Sequence, residues 1–344
     1  MIQTVTLKNF GPLPNDGYQF APGLNVIVGE NGLGKSQLLK LLYAVLKVHA
    51  DAQDFTKTAL QKAYAEKLTN VFRPDALGRL VKRRQGNERC EVGLVLKDFA
   101  QSCAFSFATG AKSSVQVDLV PTDREHATPV YMPTRELLTL CPWFGPLYDN
   151  YHLRFEESWR DTVSLLGAPS VKGKREATVA KILAPLEEAM GGKVVADPVT
   201  GEFYLSIPGE GRLEMPLVAE GLRKLAMLAR LIGTGSLLDK GYLFWDEPET
   251  NLNPKLIKVV AASILHLCQQ GIQVFIATHS YDLLKEIEIL SRKAPVPQRY
   301  LGLSQMEAGV VLEQSDSLKG LDTLVALDEE IAQYDRDLQV RAHG

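Results

Sequence analysis

The stretch Leu24-Asn25-Val26-Ile27-Val28-Gly29-Glu30-Asn31-Gly32-Leu33-Gly34-Lys35-Ser36 decides how the rest of the chain is read. An apolar run of strand length enters a glycine-rich turn, and residues 37–48 then read as a helix. Strand, loop and helix in that order are the setting that the phosphate-cradling pattern G-x-x-x-x-G-K-[S/T] requires. Glycines let the backbone curl until several N–H groups point at one anion, and a helix starting near Gly34 adds its positive end. Lys35 then reaches the β and γ phosphates, and Ser36 presents its hydroxyl to Mg²⁺. The predicted nucleotide-binding set is Gly29, Glu30, Asn31, Gly32, Leu33, Gly34, Lys35, Ser36 and Gln37. A nucleoside triphosphate with Mg²⁺ is the expected ligand.

A second apolar run, Gly241-Tyr242-Leu243-Phe244-Trp245, is followed at once by Asp246 and Glu247. It is too short for a helix and suits a fully buried parallel strand. Asp246 is placed to hold the Mg²⁺ shell. Glu247 points to the other side of the extended chain, where it can orient or deprotonate the water that attacks the γ-phosphate. A third run, residues 273–277, ends in Thr278-His279-Ser280. Ligands in doubly wound sheets lie beyond the carboxyl ends of the strands, so His279 is expected to face the same crevice. Five other histidines, at 49, 126, 152, 266 and 343, have no such placement. Between the second and third runs, Asn253 reads as an N-cap, Pro254 as the first helical position and Gly271 as the stop. That leaves Thr250-Asn251-Leu252 as the connecting loop.

The set GENGLGKS (29–36), LFWDEPETNLNP (243–254) and FIATHS (275–280) resembles the ABC class of ATPases. It has the P-loop, the acidic strand with its glutamate, the D-loop and the switch histidine in that class's order. The Asn9-Phe10 pair closing the opening strand resembles the chromosome-maintenance and DNA-repair branch: RecF, the structural-maintenance proteins and the OLD-like ATPases of prokaryotic defence. The resemblance implies an α/β fold, an ABC-type P-loop NTPase head with a mixed sheet, an antiparallel β subdomain and an inserted helical lobe. It also implies catalytic roles for Glu247, His279 and Lys35, Mg²⁺ ligation by Ser36 and Asp246, and a D-loop contact from Asn251. The class reaches across a dimer with a signature sequence, for which the candidate is Ala219, Glu220 and Gly221 in Val218-Ala219-Glu220-Gly221-Leu222-Arg223-Lys224. Ala219 stands where the class usually has serine, which removes one hydrogen bond to phosphate, about 1–3 kcal/mol if charge-assisted. Where the class has a linking-loop glutamine this chain has Thr134-Arg135-Glu136; Arg135 either contacts a phosphate or neighbouring subunit, or forms a structural salt bridge.

Around these motifs the expected division is an ATP-binding lobe in two parts, residues 1–136 and 236–315. A helical lobe with hairpin and signature spans 137–235, and a C-terminal helix lies within 316–344. Alternating residues between 90 and 120 predict an antiparallel sheet, and residues 137–192 read as helices with Pro185 kinking or dividing one of them. A hairpin over 191–213, with strands at 194–196 and 202–207, is expected to lead straight into the signature helix. The tail is too short for the acidic nuclease domain of OLD-type proteins, so any cutting or toxic activity is expected from a second polypeptide.

The 344 residues carry a net charge of −3 with 38 Lys and Arg against 41 Asp and Glu, so no global basic field marks a nucleic-acid binder. Two local basic stretches, 79–84 and 172–175, either meet a phosphate backbone or are solvated faces. The four cysteines at 90, 103, 141 and 268 have no metal-like or paired spacing, as expected of free thiols in a reducing cytoplasm. No apolar stretch approaches membrane-spanning length. The leading reading is an ATPase switch: ATP closes a homodimer, hydrolysis opens it, and the motion controls a nuclease or toxin-like partner in DNA repair or anti-phage defence, with DNA a possible ligand. The alternatives are the nucleotide-binding subunit of a transporter and an assembly module that holds ATP with little turnover.

Overall fold

A computed structural model describes the chain apart from residues 84–85, 98–102, 123–126, 152, 239–240, 323–324 and 344. Arg84, His126 and His152 lie outside the described residues. The chain opens with β1 (Ile2–Lys8), β2 (Asp16–Gln19) and β3 (Leu24–Gly29), then α1 (Lys35–Asp51) and α2 (Lys57–Phe72). There follow β4 (Arg89–Leu96), β5 (Cys103–Ala108), β6 (Gln116–Leu119) and β7 (Val130–Met132). The next segment comprises α3 (Cys141–Tyr151), α4 (Glu157–Gly167), α5 (Glu176–Met190), β8 (Lys193–Ala196), β9 (Phe203–Ile207), β10 (Gly211–Glu214) and α6 (Glu220–Gly233). The chain closes with β11 (Gly241–Asp246), α7 (Pro254–Gln269), β12 (Ile272–Thr278), α8 (Tyr281–Ser291), β13 (Gln298–Met306), β14 (Gly309–Ser315) and α9 (Val325–His343).

A six-stranded sheet in the order β14-β13-β3-β12-β11-β7 forms the middle layer. It is parallel from β13 to β7, with β14 antiparallel at one edge. Alternate residues of its inner strands enter two different cores, which is why these strands read as unbroken apolar runs. Val26, Leu243, Trp245, Val274 and Ile276 pack towards α5, α6, α7 and α8. Ile27, Phe244, Phe275 and Ala277 pack on the other side, towards α1, α2 and the antiparallel sheet β2-β1-β4-β5-β6. Mixed central sheet, antiparallel subdomain and helical segment are all present, as the α/β expectation required.

The helical segment is tied to α1 and α2 by buried charge. Asp161 on α4 accepts from Tyr43 Oη of α1 and from Lys67 Nζ of α2, each at 2.6 Å. Lys67 also pairs with Glu157 at 3.2 Å. Each ion thus has a partner, which burial demands. His49 is likewise internal, its ring Nε2 2.5 Å from Tyr64 Oη, and burial holds its pKa down to about 4.

Two local expectations are corrected. The hairpin over 191–213 is a three-stranded sheet, β10-β9-β8, and its third strand, β10, passes through the short turn Met215–Leu217 into α6. Gly209 and Gly211, with φ of +82° and +102°, turn the chain back for the extra strand. Pro185 does not divide α5, which runs unbroken through it. Val179, Ile182, Leu186 and Met190 bury one face of that helix on both sides of the proline, and this packing offsets the missing N–H.

Candidate functional site

β3, β12 and β11 are neighbours and parallel, with Val28 opposite Thr278 and Ala277 opposite Asp246. Their carboxyl ends therefore deliver the glycine loop, His279 and the Asp246-Glu247 pair to one edge of the sheet. Gly34 is the N-cap of α1 at φ +101°, and a Cβ there would lie 2.8 Å from the Leu13 side chain. No side chain caps α1, and its first turn carries no acid, so its positive end is left to an anion.

Lys35 is buried, and its Nζ donates to the carbonyls of Gly29 at 2.8 Å and Glu30 at 2.9 Å. Burial lowers its pKa, while Glu247, Asp246, Glu249 and Glu30 act in the opposite sense. The ammonium is thus held over the loop by carbonyl groups that a phosphate could replace.

Ser36 Oγ donates to Asp246 Oδ1 at 2.9 Å, and Tyr131 Oη donates to Asp246 Oδ2 at 3.4 Å. Burial is the main reason that the Asp246 carboxyl titrates above its ordinary range. A hydroxyl and a buried carboxylate this close are hard oxygen donors of the kind Mg²⁺ takes. Among the described residues no group of three or more His, Cys, Asp or Glu could hold a metal alone.

Glu247 has φ +47°, a left-handed conformation uncommon for a residue with a side chain, and its N–H donates to Ala277 O at 2.9 Å. Its Oε1 lies 3.5 Å from His279 Nδ1, and its Oε2 accepts from Thr250 Oγ1 at 3.2 Å. Glu249 is buried beside them, accepting from Thr278 Oγ1 at 2.7 Å, while its Oε2 has no partner. An open groove of about 490 Å³ runs along Glu247, Glu249, Thr250, His279 and Ser280.

The signature candidate lies at the start of α6, where Ala219 is an N-cap without a side-chain hydrogen bond, in keeping with the missing hydroxyl. Gly221 packs so tightly on the loop after β11 that a Cβ would come within 2.6 Å of Asn251 O. Asn251 itself has φ +65°. Arg135 is exposed and makes no hydrogen bond or ion pair with these groups among the described residues; its neighbour Glu136 instead pairs with Arg223 at 3.4 Å. Thus Lys35, Ser36, Asp246, Glu247 and His279 share one edge, Ala219–Gly221 meet the Asn251 loop, and Arg135 stands apart.

Three polar residues at this edge escaped the reading of the sequence: Tyr131, Glu249 and Lys224. Lys224 is 2% exposed and donates to the carbonyls of Glu247 at 2.6 Å and Thr250 at 3.3 Å; burial lowers its pKa to about 8. Three acids within 246–249 were a usable signal for Glu249. Nothing local distinguishes Tyr131 or Lys224.

Two family models match the chain: "AAA ATPase domain" over residues 1–78 and "AAA domain, putative AbiEii toxin, Type IV TA system" over 137–285. A comparison with curated proteins returned no match. Among solved structures, an SMC head bound to the C-winged helix domain of ScpA superposes with a TM-score of 0.59 at 14% identity, covering 92% of this chain and 98% of that one. The SMC head domain from Thermotoga maritima gives 0.53 at 12% identity, covering 91% and 98%. The Smc head domain with an extended coiled coil, bound to the C-terminal domain of ScpA derived from Pyrococcus furiosus, gives 0.53 at 14%, covering 97% and 99%. The chain has the fold of an ABC-class P-loop ATPase head. No helix among the described residues is long and apolar enough to cross a membrane.

Proposed function

We propose that this P-loop head binds and hydrolyses MgATP, and that ATP closes two copies into a dimer whose opening and closing controls a second protein. The supporting observation is the meeting of Ser36 with Asp246, and of Glu247 with His279, at the ends of three adjacent parallel strands. Backbone N–H groups of residues 29–36 and the N-terminus of α1 bind the β and γ phosphates, and Lys35 exchanges its loop carbonyls for phosphate oxygens. Ser36 and Asp246 would hold Mg²⁺, which supplies charge neutralisation at the phosphates when bound. Glu247 accepts a proton from the attacking water and orients it in line with the γ-phosphate, and His279 holds Glu247 and contacts the same phosphate.

Ala219 and Glu220 are exposed at the start of α6, with Gly221 buried behind them against the Asn251 loop, and this helix start is the place from which one copy would meet the nucleotide of the other. The partner is a nuclease or toxin-like effector in DNA repair or defence, with a cytoplasmic location. This rests on the resemblance to the RecF, SMC and OLD branch, on the toxin-system family model, and on the ScpA domains bound to the similar SMC heads. Light scattering and phosphate release, each with and without duplex DNA, test the reading. ATP, and not ADP, is expected to double the particle mass, and phosphate release is expected to rise with protein concentration as dimers form. A mass that nucleotide leaves unchanged contradicts the switch.

A further inference from the structure

The helix that carries the signature candidate is fastened to the catalytic loop of its own chain by one buried cation. Lys224 lies one turn beyond Gly221 on α6, where the surrounding face is apolar: Leu225, Ala226 and Leu228 are fully buried. A lysine is rarely carried into such a position. Its Nζ reaches two backbone carbonyls, Glu247 and Thr250, which bracket the tight turn between β11 and α7. That turn holds two non-glycine residues at positive φ, Glu247 at +47° and Asn251 at +65°. Such conformations persist only where surroundings over-determine them. Among the described residues the main chain of the turn is held by the Glu247 N–H to Ala277, the Thr250 and Leu252 N–H groups to Glu247 and Glu249, the Gly221 backbone pressed on Asn251, and the Lys224 ammonium, while the Glu247 and Glu249 carboxylates meet Thr250, His279 and Thr278. Among the described residues, the ammonium alone grips the carbonyl of Glu247 from outside the turn's own strand and loop.

We propose that Lys224 is a positioning residue for ATP hydrolysis, holding the Glu247 backbone in its left-handed conformation so that the carboxylate faces the attacking water. The ammonium acts through the main-chain carbonyls of Glu247 and Thr250. Its grip also makes the start of α6 and the catalytic turn one rigid unit, so that a shift of Ala219–Gly221 on meeting a second nucleotide moves Glu247 of the same chain. The acids near Lys224 are Asp246, Glu247 and Glu249 at the end of β11 and Glu220 on its own helix, and they keep the cation favourable despite its burial.

This inference rests on the hydrolase reading above, and the test separates the two. Full-length wild type, K224M, K224R and E247Q are compared for binding of a fluorescent ATP analogue and for phosphate release. K224M is expected to bind the analogue within about twofold of wild type and to turn over at least about tenfold more slowly, the pattern of a lost transition-state arrangement. K224R, which keeps the charge and the donors, is expected to recover turnover to within about threefold of wild type. Should K224M not fold, K224Q takes its place, since its amide keeps a donor beside the carbonyls but is too short to reach both of them. Turnover of K224M equal to wild type overturns the inference. So does a joint loss of affinity and turnover that K224R leaves uncorrected, or failure of both K224M and K224Q to fold, each of which marks a structural role. If wild type releases no more phosphate than E247Q, the hydrolase reading itself has failed.

Discussion

Replacing Glu247 by Gln is expected to lower steady-state phosphate release by about 10²- to 10⁴-fold, the range lost when a positioned general base is removed. The substitution keeps size and shape, so Thr250 Oγ1 retains an acceptor, and the Glu247 main chain keeps its bonds to Ala277 and Lys224. What disappears is the carboxylate that takes a proton from water. Binding of MgATP is therefore expected to persist, and the ATP-bound dimer to accumulate because the step that opens it is blocked. Release assays on purified protein and light scattering in ATP read the two effects separately. An assembly module that holds ATP without turning it over would show little change in either, so this variant also decides between the two readings of the chain.

Lys35→Ala acts on the ground state instead. The wild-type ammonium is buried and already desolvated, waiting over the loop on the carbonyls of Gly29 and Glu30. Its transfer to phosphate oxygens replaces neutral acceptors by charged ones, an exchange worth about 1.5–3 kcal/mol for a charge-assisted bond. Loss of the side chain is thus expected to weaken nucleotide binding about ten- to a hundredfold, read as Kd for a fluorescent ATP analogue. Folding should be little affected, because Lys35 occupies the first turn of α1 and the helix is anchored by Leu38, Leu39, Leu41 and Leu42, all buried. Undiminished affinity in this variant would contradict the phosphate cradle.

Much of this site could be read from the chain because its determinants are local. Residues 24–28, 241–245 and 273–277 are strands buried on both faces, and such strands announce themselves as continuous apolar runs. The turn residues follow their own chemistry: Gly34 supplies the positive φ at the start of α1, and Asn253 accepts from Leu256 N as the N-cap of α7. The residues missed are those whose surroundings come from far along the chain. Lys224 on an amphipathic helix looks like a solvated cation, and it becomes buried only when residues 247–250 fold over it. Tyr131 meets Asp246 across 115 positions. β10 was missed because Gly211-Arg212-Leu213-Glu214 carries too little alternation to show as a strand without its partner β9. In α5 the proline rule was applied locally, while packing on both sides of Pro185 decided the outcome.

A crystal structure with a nonhydrolysable ATP analogue and Mg²⁺ tests most directly whether the three strand ends grip one ligand. The expected result is a metal bound by Ser36 Oγ and Asp246, Lys35 Nζ moved from the loop carbonyls to the β and γ phosphates, and Glu247 and His279 facing the terminal phosphate. A nucleotide bound elsewhere, or Lys35 still on Gly29 and Glu30 with the analogue present, would contradict it.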